Sequence, residues 1–418
     1  MKAPFLISLL FSSSLFAMPE TIVLQEMMSK FEKPEFCAEK PSELVWKRRV
    51  VETPLNAYKN GSKYRLRYSK FGCNLGNKGS IVIAPGRSEG SPEYYETALD
   101  FMKAGYGPIY VIDHRGQGLS PRRLQNTNKG HVENFENYVS DLVTAMEDIQ
   151  SDLEVLGFRK GEDHLFYTSN SMGAGIGLGY FEKIGKENPF TAAALLGGMI
   201  RVNYLSFIGK EPSFLNNRIY SEEGVIAQGL VNCLTKEKCG RYARPNVFGD
   251  YKPGTRQFIE KEDIKEMEKF MTHSKARYDL RTYLWDNYDW SKIIAEEYSG
   301  ENWKGPALGG STFSWTLYTT KFLKKMRKKS FIKNLPDMPI LIQTGSRDLR
   351  AYRPHKDGST DLSRHSEFCQ KINKHNSHSK NLCTMIELKD GFHELYKESD
   401  EYRDEAMENV LKFFAANS

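Results

Sequence analysis

Short apolar runs alternate with stretches of helical periodicity through most of this chain, and that alternation narrows the fold more than any other feature. A strand, a helix and a further strand in succession build a parallel sheet covered on both faces, because each crossover lays its helix back on the sheet. Trp46–Glu52 and Tyr64–Phe71, with Asn60-Gly61 between them as a turn signal, read as the first two strands. Ser80–Ala84, Pro108–Ile112, His164–Ser169, Ala192–Gly197, Pro339–Gln343 and Leu382–Leu388 read as the later ones. Ser91-Pro92 opens a helix as N-cap and first-turn residue, and Gly105 ends it. Phe135, Val139, Leu142, Met146 and Ile149 recur at helical spacing, and a closing helix lies around Tyr402–Ala415.

Between Arg201 and Pro336 the alternation stops. That stretch is polar and helix-leaning and carries four of the five tryptophans, Trp285, Trp290, Trp303 and Trp315. It reads as one insertion, a cap over the carboxyl edge of the sheet. The expected organisation is therefore a signal peptide at 1–17, the first part of an α/β core at 18–200, the cap at 201–336 and the rest of the core at 337–418. The leader MKAPFLISLLFSSSLFA has one lysine, a short Ser-interrupted apolar core and a small residue at its end, which fits a secretory signal better than a membrane span. It predicts an exported protein, periplasmic or secreted. With 39% hydrophobic and 27% charged residues the chain is neither disordered nor fibrous. The 59 basic and 53 acidic residues leave a net charge of +6, too balanced to argue for a nucleic-acid partner.

In an exported chain six cysteines favour disulfides over free thiols. They fall into neighbours, and the expected pairs are Cys37–Cys73, Cys233–Cys239 and Cys369–Cys383. None forms a CxxC pair of the zinc or redox type, so no metal is expected there.

The chemistry concentrates where His164–Ser169 runs into Asn170-Ser171-Met172-Gly173 and then a helix of small residues. Strand, sharp turn and helix are the setting a nucleophile elbow needs, with Ser171 at the tip. The small residues Ser169, Gly173 and Gly175 let helix and strand approach closely. A phosphate loop is the competing reading of these glycines, but no Gly-Lys-Ser/Thr follows. Simple helix–sheet packing is the other. A serine hydroxyl needs a base, and the base an acid. Asp348 follows the strand Pro339–Gln343, and His393 follows the last strand. The order Ser171, Asp348, His393 is the one used by hydrolases with this strand pattern. His114 and His131 are the rival bases, each more readily explained by loop hydrogen bonding. His355, His365, His375 and His378 read as exposed loop residues. Asp390 is the rival acid and more plausibly shapes a turn. Two backbone N–H groups must face the oxyanion. Met172, directly after the nucleophile, is one candidate, and Arg87 in the Gly86–Gly90 loop is the other. The Arg87 side chain itself reads as half of a surface ion pair.

With these residues in place, the chain resembles the lysophospholipase L2 and monoacylglycerol lipase group of the α/β-hydrolase superfamily. The matching segments are Pro85-Gly86-Arg87, Asp113–Ser120, Gly130-His131-Val132 with Phe135 and Tyr138, Ser171-Met172-Gly173, Gly309–Trp315 and His393-Glu394-Leu395. The resemblance implies an α/β-hydrolase fold, a mostly parallel sheet flanked by helices with a helical cap. It also implies release of fatty acid from a lysophospholipid through an acyl-enzyme on Ser171, with no metal or organic cofactor. A monoacylglycerol lipase or short-chain esterase is the near alternative. A noncatalytic lipid-binding protein on the same fold would be favoured by a missing triad member, and all three are present. Asn170, Thr312 and Trp315 are assigned to the substrate pocket. Asn170 stands where the group commonly has His, and Ser169 where the elbow commonly has Gly. Asp113–Gly118 is expected to tighten a turn below the site.

Lys321–Lys329 holds six basic residues in nine. It reads as a solvated face with Phe322, Leu323 and Met326 packed inward, or as a transient contact with an anionic membrane surface. The cap tryptophans read either as walls of an acyl pocket or as the core of the cap.

Overall fold

The computed structural model describes residues 46–54, 63–202, 219, 221–243, 271–286, 290, 303, 305–348, 363–378 and 380–418. The leader at 1–17, Cys37 with its expected bond to Cys73, the Asn60-Gly61 turn and His355 lie outside the described residues.

The strands are β1 (Trp46–Pro54), β2 (Lys63–Phe71), β3 (Ser80–Ala84), β4 (Ile109–Asp113), β5 (Leu165–Asn170), β6 (Ala192–Leu196), β7 (Ile340–Gly345) and β8 (Cys383–Leu388). They form an eight-stranded sheet in the order β1-β2-β4-β3-β5-β6-β7-β8. β1 pairs antiparallel with β2 and β2 with β4, and every other pair is parallel. The described helices of more than two turns are α1 (Tyr95–Lys103), α2 (Glu136–Val155), α3 (Met172–Ile184), α4 (Glu222–Asn232), α5 (Lys275–Asp286), α6 (Phe313–Met326), α7 (Ser363–His375) and α8 (Asp400–Ala416). This is the α/β-hydrolase fold with a helical insertion between β6 and β7.

Side chains that alternate along a strand enter two different cores, as the period of two demands. Val82, Tyr110, Ile112, Ala193, Leu195, Ile340 and Ile342 pack with α2, α3 and α6. Ile81, Ile83, Ile109, Val111, Ala192, Ala194 and Leu341 pack with α1 and α8. Both faces being covered, β3 to β7 are buried along their whole length. Phe322 of α6 stacks on Phe135 at 4.5 Å, and Leu323 and Met326 are buried beside it.

The register places Ala84, Ser169, Leu195, Ile342 and Met385 side by side across the sheet. The loops beyond them, carrying Arg87, Ser171, Gly197, Asp348 and His393, therefore leave the same carboxyl edge, where open parallel sheets place their sites.

Two expectations change here. Ser91 does not cap its helix: Gly90 is the N-cap of a 3-10 turn over Ser91–Tyr94 that leads into α1. Ser91 instead donates from its N–H (2.8 Å) and Oγ (2.6 Å) to Asp113 at the end of β4, a long-range partner that no local pattern reveals. Asp113 also accepts from Leu119 N–H at 3.0 Å, and a Cβ on Gly118 would stand 2.0 Å from its Oδ1, so this tight turn needs glycine. His365 is not an exposed loop residue: it lies in α7 and is 1% exposed. The polarity of the segment hides an i, i+3, i+4, i+7 stripe of His365, Phe368, Cys369 and Ile372, all buried against the core.

Candidate active site

Ser171 sits between β5 and α3 with φ +50° and ψ −110°. A non-glycine residue in that region costs on the order of 1–3 kcal/mol, and only a structure that over-determines it keeps it there. The restraint comes from the backbone at and just beyond the end of β6. Ser171 N–H donates to Leu196 O at 2.9 Å, and Ser171 O accepts from Met199 N–H at 2.8 Å. α3 is pressed against the end of β3, since a Cβ on Gly173 would lie 2.0 Å from Ala84 O. The buried first residue of α3, Met172, is thereby brought beside the Pro85–Gly90 loop.

That loop is held by His114, by Gln117 and by its own Glu89. His114 Nε2–H donates to Pro85 O at 3.1 Å, and Gln117 Nε2 to Gly86 O at 2.7 Å. The buried Glu89 carboxylate accepts from Gly86 N–H (2.5 Å), Tyr94 Oη (2.6 Å) and Asn170 Nδ2 (2.7 Å). Its acid form is disfavoured: burial alone raises its pKa, but Lys397 and Arg281, with the hydrogen bonds from Tyr94 and Gly86, hold it well below the usual carboxylate range. Asn170, adjacent to Ser171, is thus tied to the loop that carries Arg87.

The Arg87 side chain reaches into the insertion. Its guanidinium donates to Gly309 O at 2.7 Å and lies 5.1 Å from the Trp315 ring, both in the insertion between β6 and β7. Thr312 Oγ1 meets His131 Nδ1 at 3.0 Å and accepts from Trp315 N–H at 3.2 Å, capping α6. Thr312 and Trp315 are 0% and 2% exposed and form a buried joint between insertion and core. The other tryptophans act similarly. Trp285 Nε1 donates to Glu93 Oε1 (3.0 Å) and Trp303 Nε1 to Gly118 O (3.0 Å), while Trp290 packs edge-on against Trp303.

On the far side of β6, His393 Nδ1 lies 2.7 Å from Asp348 Oδ2. The carboxylate can only accept, so Nδ1 carries the proton and Nε2 is the basic nitrogen. Asp348 is fully buried and His393 is 7% exposed. Gly197, next to the carbonyl that holds Ser171, has φ +51°, and a Cβ there would come within 3.3 Å of His393 Nδ1. The end of β6 therefore touches both the serine turn and the histidine loop. Of the rivals, His114 and His131 bind Pro85 O and Thr312 Oγ1. Asp390, at φ +60°, accepts from Arg347 Nε at 3.0 Å and shapes the turn after β8. Among the described residues no three His, Cys, Asp or Glu side chains converge as a metal site.

Two groups of residues near the site are not placed there by the sequence reading. Glu89, Glu93, Arg281, Glu394 and Lys397 are buried together: Lys397 Nζ reaches Glu93 at 2.9 Å and Glu89 at 3.2 Å, and Arg281 reaches Glu394 at 2.7 Å. They come from three separate parts of the chain. His365 is the second case. Its Nε2–H donates to Gly198 O at 2.7 Å, in the strap that binds Ser171, and Cys369 of the same helix is disulfide-bonded to Cys383 of β8. Cys233 and Cys239 form the other described disulfide.

The family model described as serine aminopeptidase, S33, matches residues 76–234. Lysophospholipase L2 of Escherichia coli K12 is 24% identical over 338 residues, 80% of this chain and 79% of its own. A probable lysophospholipase L2 of Haemophilus influenzae is 34% identical over 100 residues, 24% of this chain and 29% of its own. Among solved structures, a monoglyceride lipase from Saccharomyces cerevisiae aligns with TM-score 0.54 at 17% identity, covering 88% of this chain and 96% of its own. A carboxyl esterase from Bacillus coagulans aligns with TM-score 0.53 at 15% identity, covering 90% and 99%. Strand order, serine turn and family match together identify this chain as a serine hydrolase of the α/β-hydrolase superfamily.

Proposed function

We propose that this chain is a lysophospholipase that releases fatty acid through an acyl-enzyme on Ser171. The observation that carries the reading is the Asp348–His393 hydrogen bond at the strand edge that also restrains Ser171. His393 Nε2 takes the Ser171 proton as the hydroxyl attacks the ester carbonyl, and Asp348 fixes the tautomer and stabilises the imidazolium. The tetrahedral oxyanion is met by the N–H groups of Met172 and Arg87. Within the loop, Gly86 N–H is engaged by Glu89 and Ser88 N–H lies 3.4 Å from Gln117 Oε1, on either side of Arg87. Collapse of the intermediate expels the alcohol, protonated by His393, and water activated by the same base then frees the fatty acid. No cofactor enters these steps.

The substrate class rests on the relatives named lysophospholipase L2, one of which aligns along 80% of this chain. Action on monoacylglycerol or short-chain esters is the second reading. Export, read from residues 1–17, belongs to the same proposal. The test is fatty-acid release from lysophosphatidylethanolamine, monoacylglycerol and short p-nitrophenyl esters, with wild type beside Ser171→Ala. We expect the lysophospholipid to turn over fastest and Ser171→Ala to be inert on all three. Preference for monoacylglycerol would overturn the substrate, and an active Ser171→Ala would overturn the mechanism.

A further inference from the structure

Among the described residues, four large apolar side chains stand well out of the surface: Val155, Leu230, Val231 and Leu234. Val155 is alone at the end of α2. The other three, 49%, 64% and 78% exposed, crowd the end of α4. There the Cys233–Cys239 disulfide closes a small loop with Leu234 at its tip and a single helical turn, Lys236–Cys239, behind it.

This tip is rigidly mounted. Cys233 N–H donates to Gly229 O at 2.8 Å, and Gly229 lies so close to Leu317 of α6 that a Cβ would stand 2.7 Å away. Lys129 Nζ donates to Gly240 O at 3.1 Å. Behind the tip, Phe313 N–H donates to Arg241 O and Ala243 N–H to Ser311 O. The tip is thus continuous with the Gly309–Trp315 segment that holds Arg87. An apolar cluster kept in water on a fixed mount marks an interaction surface.

Charge selects the partner. Among the described residues Lys236, Lys238 and Arg241 accompany the tip with one carboxylate, Glu237, which pairs with Arg241. The acids of α4, Glu222 and Glu223, sit at its opposite end and are bound by Arg327 and Lys324. A second copy of this chain would bring like cations together. An anionic lipid surface accepts both the cations and the apolar tip. The basic run Lys321–Lys329 serves this less well, since Lys324, Lys325 and Arg327 are paired with Glu223, Glu136 and Glu222. Among the described residues no helix is long and apolar enough to cross a membrane.

We propose that the Leu230–Leu234 tip docks this hydrolase on the surface of an anionic bilayer, where an acyl-lipid substrate is held. The inference rests on the acyl-lipid reading above, and its test separates the two. Full-length Ser171→Ala is sedimented with vesicles of phosphatidylcholine containing about one-third phosphatidylglycerol, so that binding is read without turnover. We expect binding that weakens with added salt and falls about tenfold or more when Val231→Ser and Leu234→Ser are combined. Val155→Ser should leave it unchanged. With Ser171 intact, the double variant should hydrolyse a soluble short-chain ester at the wild-type rate and vesicle-held lysophospholipid more slowly. Equal vesicle binding by the double variant overturns the docking surface, as does tip-dependent dimerisation without vesicle binding. Tip-dependent binding by a wild type that hydrolyses no acyl lipid supports the docking and overturns the substrate reading.

Discussion

The two sides of the site are held by different means. Ser171 is fixed by backbone: Leu196 O and Ala84 O end the strands β6 and β3, and Met199 N–H lies just beyond β6. The His393 loop is held by side chains and by a distant part of the chain. Phe392 N–H donates to the buried Glu398 carboxylate at 2.7 Å, which also accepts from His273 N–H at 2.6 Å, and Glu394 N–H donates to Met271 O. Residues 271–273 lie in the insertion between β6 and β7. The nucleophile is therefore part of the sheet, while the base is set by whatever holds the insertion down.

Three perturbations separate these sides. Gly173→Ala puts a methyl group against the immovable Ala84 carbonyl and should cost the fold about 3 kcal/mol, read as a fall in the denaturation midpoint. An unchanged midpoint would mean that α3 can move away from β3. Glu398→Ala removes the acceptor of the Phe392, His273 and Ser399 N–H groups, the first of them buried, and should cost about 2–3 kcal/mol. Its distinctive effect is on rate: kcat should fall more than KM rises, because the base is misplaced while the nucleophile and oxyanion loop stay put. An equal loss in a variant with Glu398 intact and the insertion unpinned, Arg277→Met, which loses the pairs with Glu96 and Asp400, would tie that effect to the insertion as a whole.

The smallest effect is on acid stability. Burial drives the His114 pKa down to about 4 despite its bond to Pro85 O. The unfolded chain takes up this proton below about pH 6.5 and the folded chain only near pH 4, so stability falls as the pH drops through that window. His131 and His365 are shifted downward by burial too and add in the same direction. His114→Gln should flatten the profile between those limits. An unaltered profile would show that His114 is accessible to protons in the folded state.

The same division explains what could be read from sequence. Strands such as Ser80–Ala84 were legible to the residue, because a strand buried on both faces is a continuous apolar run. The strand–Ser171–helix turn was legible for a related reason, since close helix–strand approach demands small residues in a row. Ser91 was misread because its partner is Asp113, 22 residues away. His365 was misread because a polar helix exposes most of its side chains and signals burial through one narrow stripe. Glu89, Glu93, Arg281, Glu394 and Lys397 are ordinary surface residue types in sequence, and only the fold brings them together. Arg87 shows the limit most clearly: its place in the loop was evident, and its grip on Gly309 and Trp315 was not.

The account depends on an activated hydroxyl at residue 171. Its most direct measurement is labelling of the native protein with a fluorophosphonate, followed by mass spectrometry of the peptides. We predict one adduct, on Ser171, formed at least about a hundredfold more slowly in His393→Ala. An adduct on another residue, or labelling at an equal rate without His393, would contradict the account.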